Sequence, residues 1–285
     1  MLTILFDGIA YGMVLFVLAS GLSVTLGLMN FVNLAHGAFA MAGGYVTVVL
    51  MQRHGVPFLW TLPAAFVAPA AAGLVLERLL YRPMYAKSHL DQVLFSIGLV
   101  FMAVAGTDWL MGSRQQIINL PTWLQGRFDV MGVAVGRYRL FVIVLCGLMV
   151  LALHWGFTRT RFGSRLRAAV DDARVARGLG IPVNSLFAVT FAIGSGLAGL
   201  GGALGIELMG LDPTFPLKFM IYFLVVVTVG GTSGIVGPFL AAMLLGVADV
   251  FGKYLIPWAG AFIIYALMIA LLLLRPEGLF ARARA

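Results

Sequence analysis

Long apolar runs dominate this chain and restrict what it can fold into. Of its 285 residues, 61% are hydrophobic and only 11% are charged, whereas a soluble domain carries about 25% charged residues. Several runs approach or exceed the roughly 20 apolar residues that cross a bilayer as a helix. A transmembrane β-barrel would show short alternating segments instead. The sequence therefore predicts an all-α, polytopic membrane protein.

The runs give eight or nine predicted transmembrane helices in one domain that covers 1–285. Two regions are short or interrupted by glycine, namely 34–51 and the pair between 217 and 251 that encloses GGTSGIVGP. They occupy comparable places in two pseudo-repeated halves, and such broken helices point to a substrate path in transporters. The count depends on whether 34–51 crosses fully. The predicted spans are 5–28, 34–51, 59–80, 92–111, 140–157, 185–208, 217–232, 236–251 and 258–274.

Arginine and lysine set the predicted orientation. Six arginines lie between 159 and 177, and further basic residues lie in 78–89 and after 274. Basic loops tend to stay in the cytoplasm, and the predicted spans put all three segments on one side. The segment 112–139 is then the longest external loop, although it carries four arginines. The net charge of +8 therefore indicates membrane orientation rather than nucleic-acid binding.

The stretch MNFVNLAHGAFAMAGGYV, residues 29–46, places polar side chains inside apolar sequence. Asn30, Asn33 and His36 recur every three residues, so on a helix they share one face, which should point away from lipid. One interpretation is a helix that lines a translocation pathway. The other is a packing segment whose Asn and His cap the turn between two spans. The stretch also contains small residues that let helices pack closely, namely Gly37, Gly43 and Gly44.

The arginine-rich segment contains a predicted amphipathic helix of about four turns. Ser164 caps its start, and Gly178, Gly180 and Pro182 end it. Its arginines exclude this helix from the bilayer core, where each arginine would cost about 2.5–3.5 kcal/mol. The helix either rests on lipid headgroups or docks into a groove of another protein, and the small residues of its apolar face suit docking. That face consists of Leu166, Ala169, Val170, Ala173 and Ala176.

The sequence shows no pattern typical of an enzyme. It contains no HExxH, no Cys/His cluster and no GxxxxGK[ST] phosphate loop. We therefore expect no metal, no cofactor and no ATP hydrolysis by this chain. The one cysteine, Cys146, lies in an apolar run and cannot form an intramolecular disulfide. These observations favour a transport conduit over a membrane enzyme.

Four stretches resemble the inner-membrane permease subunits of bacterial branched-chain amino-acid ABC importers, the Liv-type permeases. They occur in the order of that family and span nearly the whole chain, and the NLAHG core of the first is quite specific. The stretches are DGIAYGMVLFVLASGLSVTLGLMNFVNLAHGAFAMAGGY (7–45), ERLLYRP (77–83), RAAVDDARVARGLGI (167–181) and GGTSGIVGPFLAA (230–242).

The resemblance implies a permease that pairs with a second, homologous permease subunit. Two cytoplasmic ATP-binding subunits would drive transport, and a periplasmic solute-binding protein would deliver the solute. Together with the patterns above, it implies two sets of site residues. The pathway set is Asn30, Asn33, His36, Gly37, Gly43, Gly44, Gly230 and Gly231. The ATPase-coupling set, within 159–182, is Arg167, Ala168, Asp171, Asp172, Ala173, Ala176, Gly180 and Ile181. Asp171 stands where many relatives carry Glu.

The expected function is movement of a small amino acid or related solute across the bacterial inner membrane. Relatives of this kind also serve urea, short amides and aromatic acids. The scarcity of charge near mid-membrane fits a small zwitterionic or apolar solute. The alternative is a stand-alone channel or secondary transporter for a small neutral solute. A docking helix on the cytoplasmic side distinguishes the importer permease from the stand-alone channel, because a passive channel has no need for such a helix.

Overall fold

A computed structural model describes residues 1–29, 31, 33–130, 133–231, 234–258 and 260–274. Within these ranges the chain is mostly helical, which confirms the predicted all-α class. The helices are α1 (Leu2–Met29), α2 (His36–His54), α3 (Phe58–Leu76), α4 (His89–Met111), α5 (Arg137–Arg159), α6 (Arg161–Asp171), α7 (Ala173–Gly178), α8 (Val183–Met209), α9 (Phe215–Gly230), α10 (Val236–Leu255) and α11 (Gly260–Leu274).

Short elements extend or connect these helices. α3 continues into a π-helical turn, Glu77–Tyr81, and then a 3-10 turn, Arg82–Met84. In the loop after α4, a 3-10 turn at Thr122–Leu124 precedes an antiparallel hairpin of β1 (Arg127–Val130) and β2 (Val133–Gly136). The hairpin leads directly into α5.

Nine helices, α1 to α5 and α8 to α11, correspond to the nine predicted spans. Six described helices are long and apolar enough to cross a membrane, namely α1, α3 with its extension, α4, α5, α8 and α10, while α9 and α11 provide shorter apolar segments. α2 runs for 19 residues without a break. The prediction that glycine interrupts the span at 34–51 is therefore wrong. A helical glycine costs only about 1 kcal/mol, and here neighbouring helices pack against the glycines.

α1 and α8 form the centre of the bundle. α8 packs against α1, α2 and α3, and α1 also packs against α10. Glycines in α8 allow these close crossings, because a Cβ on Gly202 would collide with the backbone of Ala40 in α2. α4 and α5 lie at the periphery, and few of their residues are buried. Their apolar surface must face lipid or another subunit.

Loop contacts define one side of the bundle, which we call the first side. The amide of Gln116 donates to the carbonyl of Leu211 at 2.7 Å, joining the loop after α4 to the loop before α9. An ion pair of 2.9 Å between Arg139 and Asp7 joins the start of α5 to the start of α1. The first side therefore carries the segment 112–139, as the predicted topology requires.

The arginine-rich segments lie on the opposite, second side. Tyr85, just beyond the α3 extension, packs its ring against Phe187 near the start of α8, with ring centroids 6.4 Å apart. α6 packs against α5 and α8. The segments 78–89 and 159–182 are therefore on one side, as predicted. The compartment that each side faces stays a prediction.

Exposed tryptophans lie near both ends of the membrane-spanning helices. Trp155 is close to the end of α5 on the second side, and four others lie on the first side. Tryptophan is enriched at the membrane–water interface, and the positions of these rings at the two ends of the bundle fit that preference. The four on the first side are Trp60, Trp109, Trp123 and Trp258.

Candidate functional site

The connection between α1 and α2 is a turn at the second side. α1 ends at Met29, the amide of His36 donates to the carbonyl of Asn33 at 3.3 Å, and α2 begins at His36. The prediction that Asn33 and His36 share one helical face is therefore wrong, because Asn33 lies in the turn that precedes α2. Asn30 itself lies outside the described residues.

Asn33 and His36 nevertheless point into the protein, as predicted, with 0% and 2% of their surfaces exposed. Nε2 of His36 lies 2.8 Å from the carbonyl oxygen of Leu18 in α1. Since a carbonyl can only accept, this nitrogen carries the proton and donates. The imidazole also occupies the space beside Gly21, where a Cβ would lie 2.6 Å from Cε1 of His36. His36 thus ties α2 to α1.

The π-helical turn supplies the partner of Asn33. The buried Tyr81 hydroxyl donates to Oδ1 of Asn33 at 3.2 Å, and the Tyr85 hydroxyl donates to Oε1 of Glu77, itself buried, at 3.0 Å. Nδ2 of Asn33 is buried and has no hydrogen-bond partner among the described residues. π-Helical turns are frequent at functional sites. The predicted site omits Tyr81 and Glu77, although both lie in the ERLLYRP stretch.

The predicted pathway glycines of α2 occupy packed helix crossings. A Cβ on Gly43 would collide with the backbone of Gly199 in α8, and one on Gly37 would approach Cα of Pro216 in α9 to 2.9 Å. Gly44 packs against the loop before α9. Such contacts favour the packing interpretation for these three glycines, since any larger residue would push the helices apart.

Gly230 and Gly231 mark the second helix break, where α9 gives way to α10. Gly231 has a φ of +79°, which favours glycine because other residues are strained there. A Cβ on Gly230 would collide with the backbone of Pro238 in the first turn of α10. The connection at 232–233 lies outside the described residues. The predicted break at GGTSGIVGP is confirmed, and it lies on the same side as the α1–α2 turn.

The arginine-rich segment begins at a different cap from the one predicted. Oγ1 of Thr160 accepts a hydrogen bond from the amide of Gly163 at 3.2 Å, so Thr160 caps α6. Ser164 lies inside α6, where its hydroxyl donates to the carbonyl of Arg161 at 3.0 Å. The prediction of a Ser164 cap is wrong because the helix starts one turn earlier, directly after α5.

The segment also forms two helices, where the sequence predicts one of about four turns. Asp172 has an extended backbone with φ −152°, and it separates α6 from α7. Its Oδ1 accepts from the amides of Arg174 and Val175 at 2.8 and 2.9 Å. An Asp side chain competes for backbone amides inside a helix and stabilises a new helix start instead. The two helices therefore form a corner.

The apolar face of this corner packs onto the chain itself. Ala176 is 2% exposed, so it offers no surface to a partner. This contradicts the predicted alanine docking face, because the start of α8 covers that face. The buried cluster consists of Leu166, Ala169, Ala176, Val183 and Leu186, with Ala173 and Ile181 partly buried against it.

The opposite face of the corner is exposed on the second side. Val175 and Leu179 lie one turn apart there, and 57% and 76% of their surfaces are exposed. The predicted coupling set omits both, since the alanine periodicity points to the other face. The members of the coupling set that are exposed are Arg167, Ala168, Asp171, Asp172 and Gly180.

These features together describe a multi-pass integral membrane protein. Apolar helices cross the bundle, and two helix breaks and an exposed basic corner share one side of it. Within the described ranges no three His, Cys, Asp or Glu side chains are placed to hold a metal ion. Over residues 4–272 the sequence matches the family described as branched-chain amino acid transport system, permease component. The chain belongs to this family, which confirms the resemblance drawn from its motifs.

Individual members of this family align with nearly the whole chain. The permease protein BraD of the high-affinity branched-chain amino acid transport system of Pseudomonas aeruginosa is 27% identical, over 98% of this chain and 95% of its own length. LivH of Escherichia coli K12 is 26% identical, over 98% of this chain and 94% of the length of LivH. LivM of the same organism is 25% identical, over 95% of this chain and 69% of the length of LivM.

The chain is therefore a multi-pass permease of the cell inner membrane and one component of a transport system. No solved structure is similar enough to match it.

Proposed function

We propose that this chain is a permease subunit of an ATP-driven importer that moves a small amino acid across the inner membrane. Its relatives are named as permeases of high-affinity branched-chain amino acid transport systems, which favours a branched-chain amino acid as solute. The sequence contains no phosphate loop. ATP hydrolysis therefore belongs to two separate cytoplasmic subunits in this proposal, and a periplasmic binding protein delivers the solute.

The observation that carries the proposal is the exposed corner of α6 and α7. It presents two apolar side chains, Val175 and Leu179, among charged residues on the arginine-rich side. A membrane-surface helix would dip bulky apolar residues into lipid from a long apolar face. This corner instead uses its apolar face for internal packing and leaves a compact apolar patch surrounded by charged residues, which is typical of a contact with a partner protein.

The two helix breaks are the proposed ends of the pathway on the cytoplasmic side. Asn33 and His36 lie at the first break and Gly230 and Gly231 at the second. Irregular backbone at membrane depth is tolerated where protein or a water-filled cavity surrounds it. The Asn33 amide, buried without a described partner, is the group most available to water or solute when the helices move. A homologous permease subunit would complete the pathway.

The docking role can be tested by changing Leu179 to Asp. A charge at the centre of an apolar contact should reduce recovery of the ATP-binding subunits in a pull-down by about tenfold or more, because an unpaired charge is costly in an interface. Solute-stimulated ATP hydrolysis should fall in parallel. Asn184→Asp is the matched control, since it adds the same charge to an exposed residue in the first turn of α8.

Equal recovery of the ATP-binding subunits with Leu179→Asp and Asn184→Asp would contradict the docking role of α7. Solute uptake into liposomes that contain this chain without ATP or ATP-binding subunits would favour the stand-alone transporter instead.

A further inference from the structure

A cavity on the first side of the bundle lies apart from both predicted sites. It opens between the last turns of α4 and the turn that precedes α9, and its volume is about 550 Å³. Small-molecule sites have volumes of roughly 300–1,000 Å³. The residues that matter most are Phe101, Val104, Ala105 and Asp108 from α4, and Asp212 and Lys218 from the opposite wall.

One wall of the cavity is apolar with a carboxylate at its outer end. Phe101, Val104, Ala105 and Asp108 are spaced by three, four and seven residues, so they lie along one face of α4. The Phe101 ring is 56% exposed. This wall can accommodate an apolar group beneath a charged one.

Helix stability does not explain the carboxylate of Asp108. It lies in the last turn of α4, where the helix dipole disfavours negative charge. Within the described ranges it takes part in no ion pair and accepts no hydrogen bond. The carboxylate is therefore available to a cationic ligand.

The opposite wall offers positive charge. Both carboxylate oxygens of Asp212 are already engaged, Oδ1 by Thr214, whose amide donates at 2.8 Å, and Oδ2 by the ammonium of Lys218. The Lys218 ammonium has three donors, its one ion pair among the described residues is with Asp212, and its side chain is 56% exposed. It can still donate to an anionic ligand.

Tyr45 adds a spare polar group beside this wall. Its side chain is buried, its hydroxyl has no hydrogen-bond partner among the described residues, and it lies in the neighbourhood of the Asp212 and Asp108 carboxylates. A buried hydroxyl without a partner is unusual in a folded protein, which is consistent with a region that a ligand completes.

We propose that this cavity binds the zwitterion of an amino acid with an apolar side chain. The α-ammonium group pairs with Asp108, the α-carboxylate accepts from Lys218, and the apolar side chain lies on Phe101 and Val104. Its use as an outer site through which solute enters the permease rests on the proposed function. The headgroup of an aminophospholipid combines an ammonium with an anion in the same way, so the test must separate free amino acid from lipid.

The test is a binding titration of the full-length chain in nanodiscs made from phosphatidylglycerol, which lacks an ammonium group. L-leucine should bind the wild type, and Asp108→Asn and Lys218→Gln should each weaken binding by about tenfold or more. Asp129→Asn, which neutralises an exposed carboxylate on the same side, should bind as wild type. All variants must elute from gel filtration like the wild type, so that a folding defect is recognised.

Analogues assign the partners individually. 4-Methylpentanoate lacks the ammonium, so it should bind the wild type more weakly than leucine and bind Asp108→Asn about as well as leucine does. Leucinamide lacks the carboxylate and should show the same pattern with Lys218→Gln. Phe101→Ala should reduce the preference for leucine over glycine severalfold, while Leu94→Ala, an exposed residue of α4 away from the cavity, should not.

Three outcomes overturn the assignment. One is no leucine binding to the wild type at millimolar concentration, and another is equal binding by wild type and Asp108→Asn. The third is Asp108-dependent retention of phosphatidylethanolamine without leucine binding, which would make the cavity a lipid headgroup site. The titration needs neither ATP nor other subunits, so failure of the proposed ATP coupling would leave leucine binding unchanged.

Discussion

At the scale of single residues, the buried hydroxyl of Tyr81 stabilises the α1–α2 turn through Asn33. Tyr81→Phe leaves Oδ1 of Asn33 without that donor, at a cost of about 1–3 kcal/mol, while the ring keeps its contacts with Phe31 and Phe191. We expect a lower melting temperature of the purified protein in detergent. Tyr254→Phe removes a hydroxyl from a side chain that is 65% exposed and should have no effect. Equal melting temperatures for the two variants would contradict this role.

Asp212 stabilises the turn before α9 in a way that depends on pH. Partial burial alone raises the pKa of Asp212, but hydrogen bonds from Lys218 and Thr214 outweigh it and hold the pKa below the ordinary value of 3.8. A depressed pKa stabilises the folded state above the unfolded-state pKa, and this is lost as the pH falls through the folded-state value.

Asp212→Asn should therefore lower thermal stability near neutral pH and have no effect well below pH 3.8. The loss should be at most about 1 kcal/mol, because the ion pair is screened by solvent. Melting curves across this pH range measure it, with Asp129→Asn as control. A deficit that is the same at every pH would show that the charge of Asp212 is irrelevant.

At the scale of elements, the α6–α7 corner should be sensitive to size on one face only. Ala176→Trp forces a large ring into the buried cluster at the start of α8, and such overpacking typically costs about 1–3 kcal/mol. The variant should therefore lower the yield and melting temperature of the permease itself. Ala168→Trp places the same ring on the exposed face, so stability should be kept while ATP-binding subunits are lost in a pull-down. A stable Ala176→Trp variant would contradict the buried position of Ala176 and would support the predicted alanine docking face.

The same corner shows which parts of an element the sequence can predict. Helical periodicity and the Gly180-Ile181-Pro182 exit locate the segment correctly, because both are local properties of the chain. The break at Asp172 is local too, but two adjacent aspartates followed by arginine at 174 have the same pattern as a solvated helix surface. The periodicity also identifies the apolar face, but that face is covered by Val183 and Leu186 of α8, and nothing within 161–178 reveals this internal partner.

At the scale of the whole molecule, the sequence predicts helices and their sidedness better than their packing. Length and hydropathy predict eight or nine membrane-spanning helices, because each must satisfy its own backbone in lipid, and nine described helices correspond to the predicted spans. The site contacts join residues far apart in the chain, such as Asn33 and Tyr81. The cavity joins the end of α4 to the turn before α9, although neither Asp108 nor Lys218 belongs to a motif. One sequence cannot reveal such pairings, which arise only when the helices pack.

Sidedness is the whole-molecule property that can be tested most directly. The contact between Gln116 and Leu211 places the loops after α4 and before α9 together, and the arginine-rich segments lie at the opposite end of the bundle. Basic segments resist translocation, so reporter fusions after Lys87, Gly178 and the C-terminal end should all report the cytoplasm. Fusions near Gln125 and Asp212 should report the opposite compartment.

The fusion near Gln125 decides this topology test. The fusion near Gln125 carries the most risk, because the 112–139 segment is itself rich in arginine. Because the ion pair between Arg139 and Asp7 keeps the start of α1 on the same side as this segment, a cytoplasmic signal there would mean that the whole bundle is inverted. It would also place the Asp108–Lys218 cavity in the cytoplasm and the α6–α7 corner outside. The ATP-binding subunits could then not reach the corner, and the proposed coupling would be wrong.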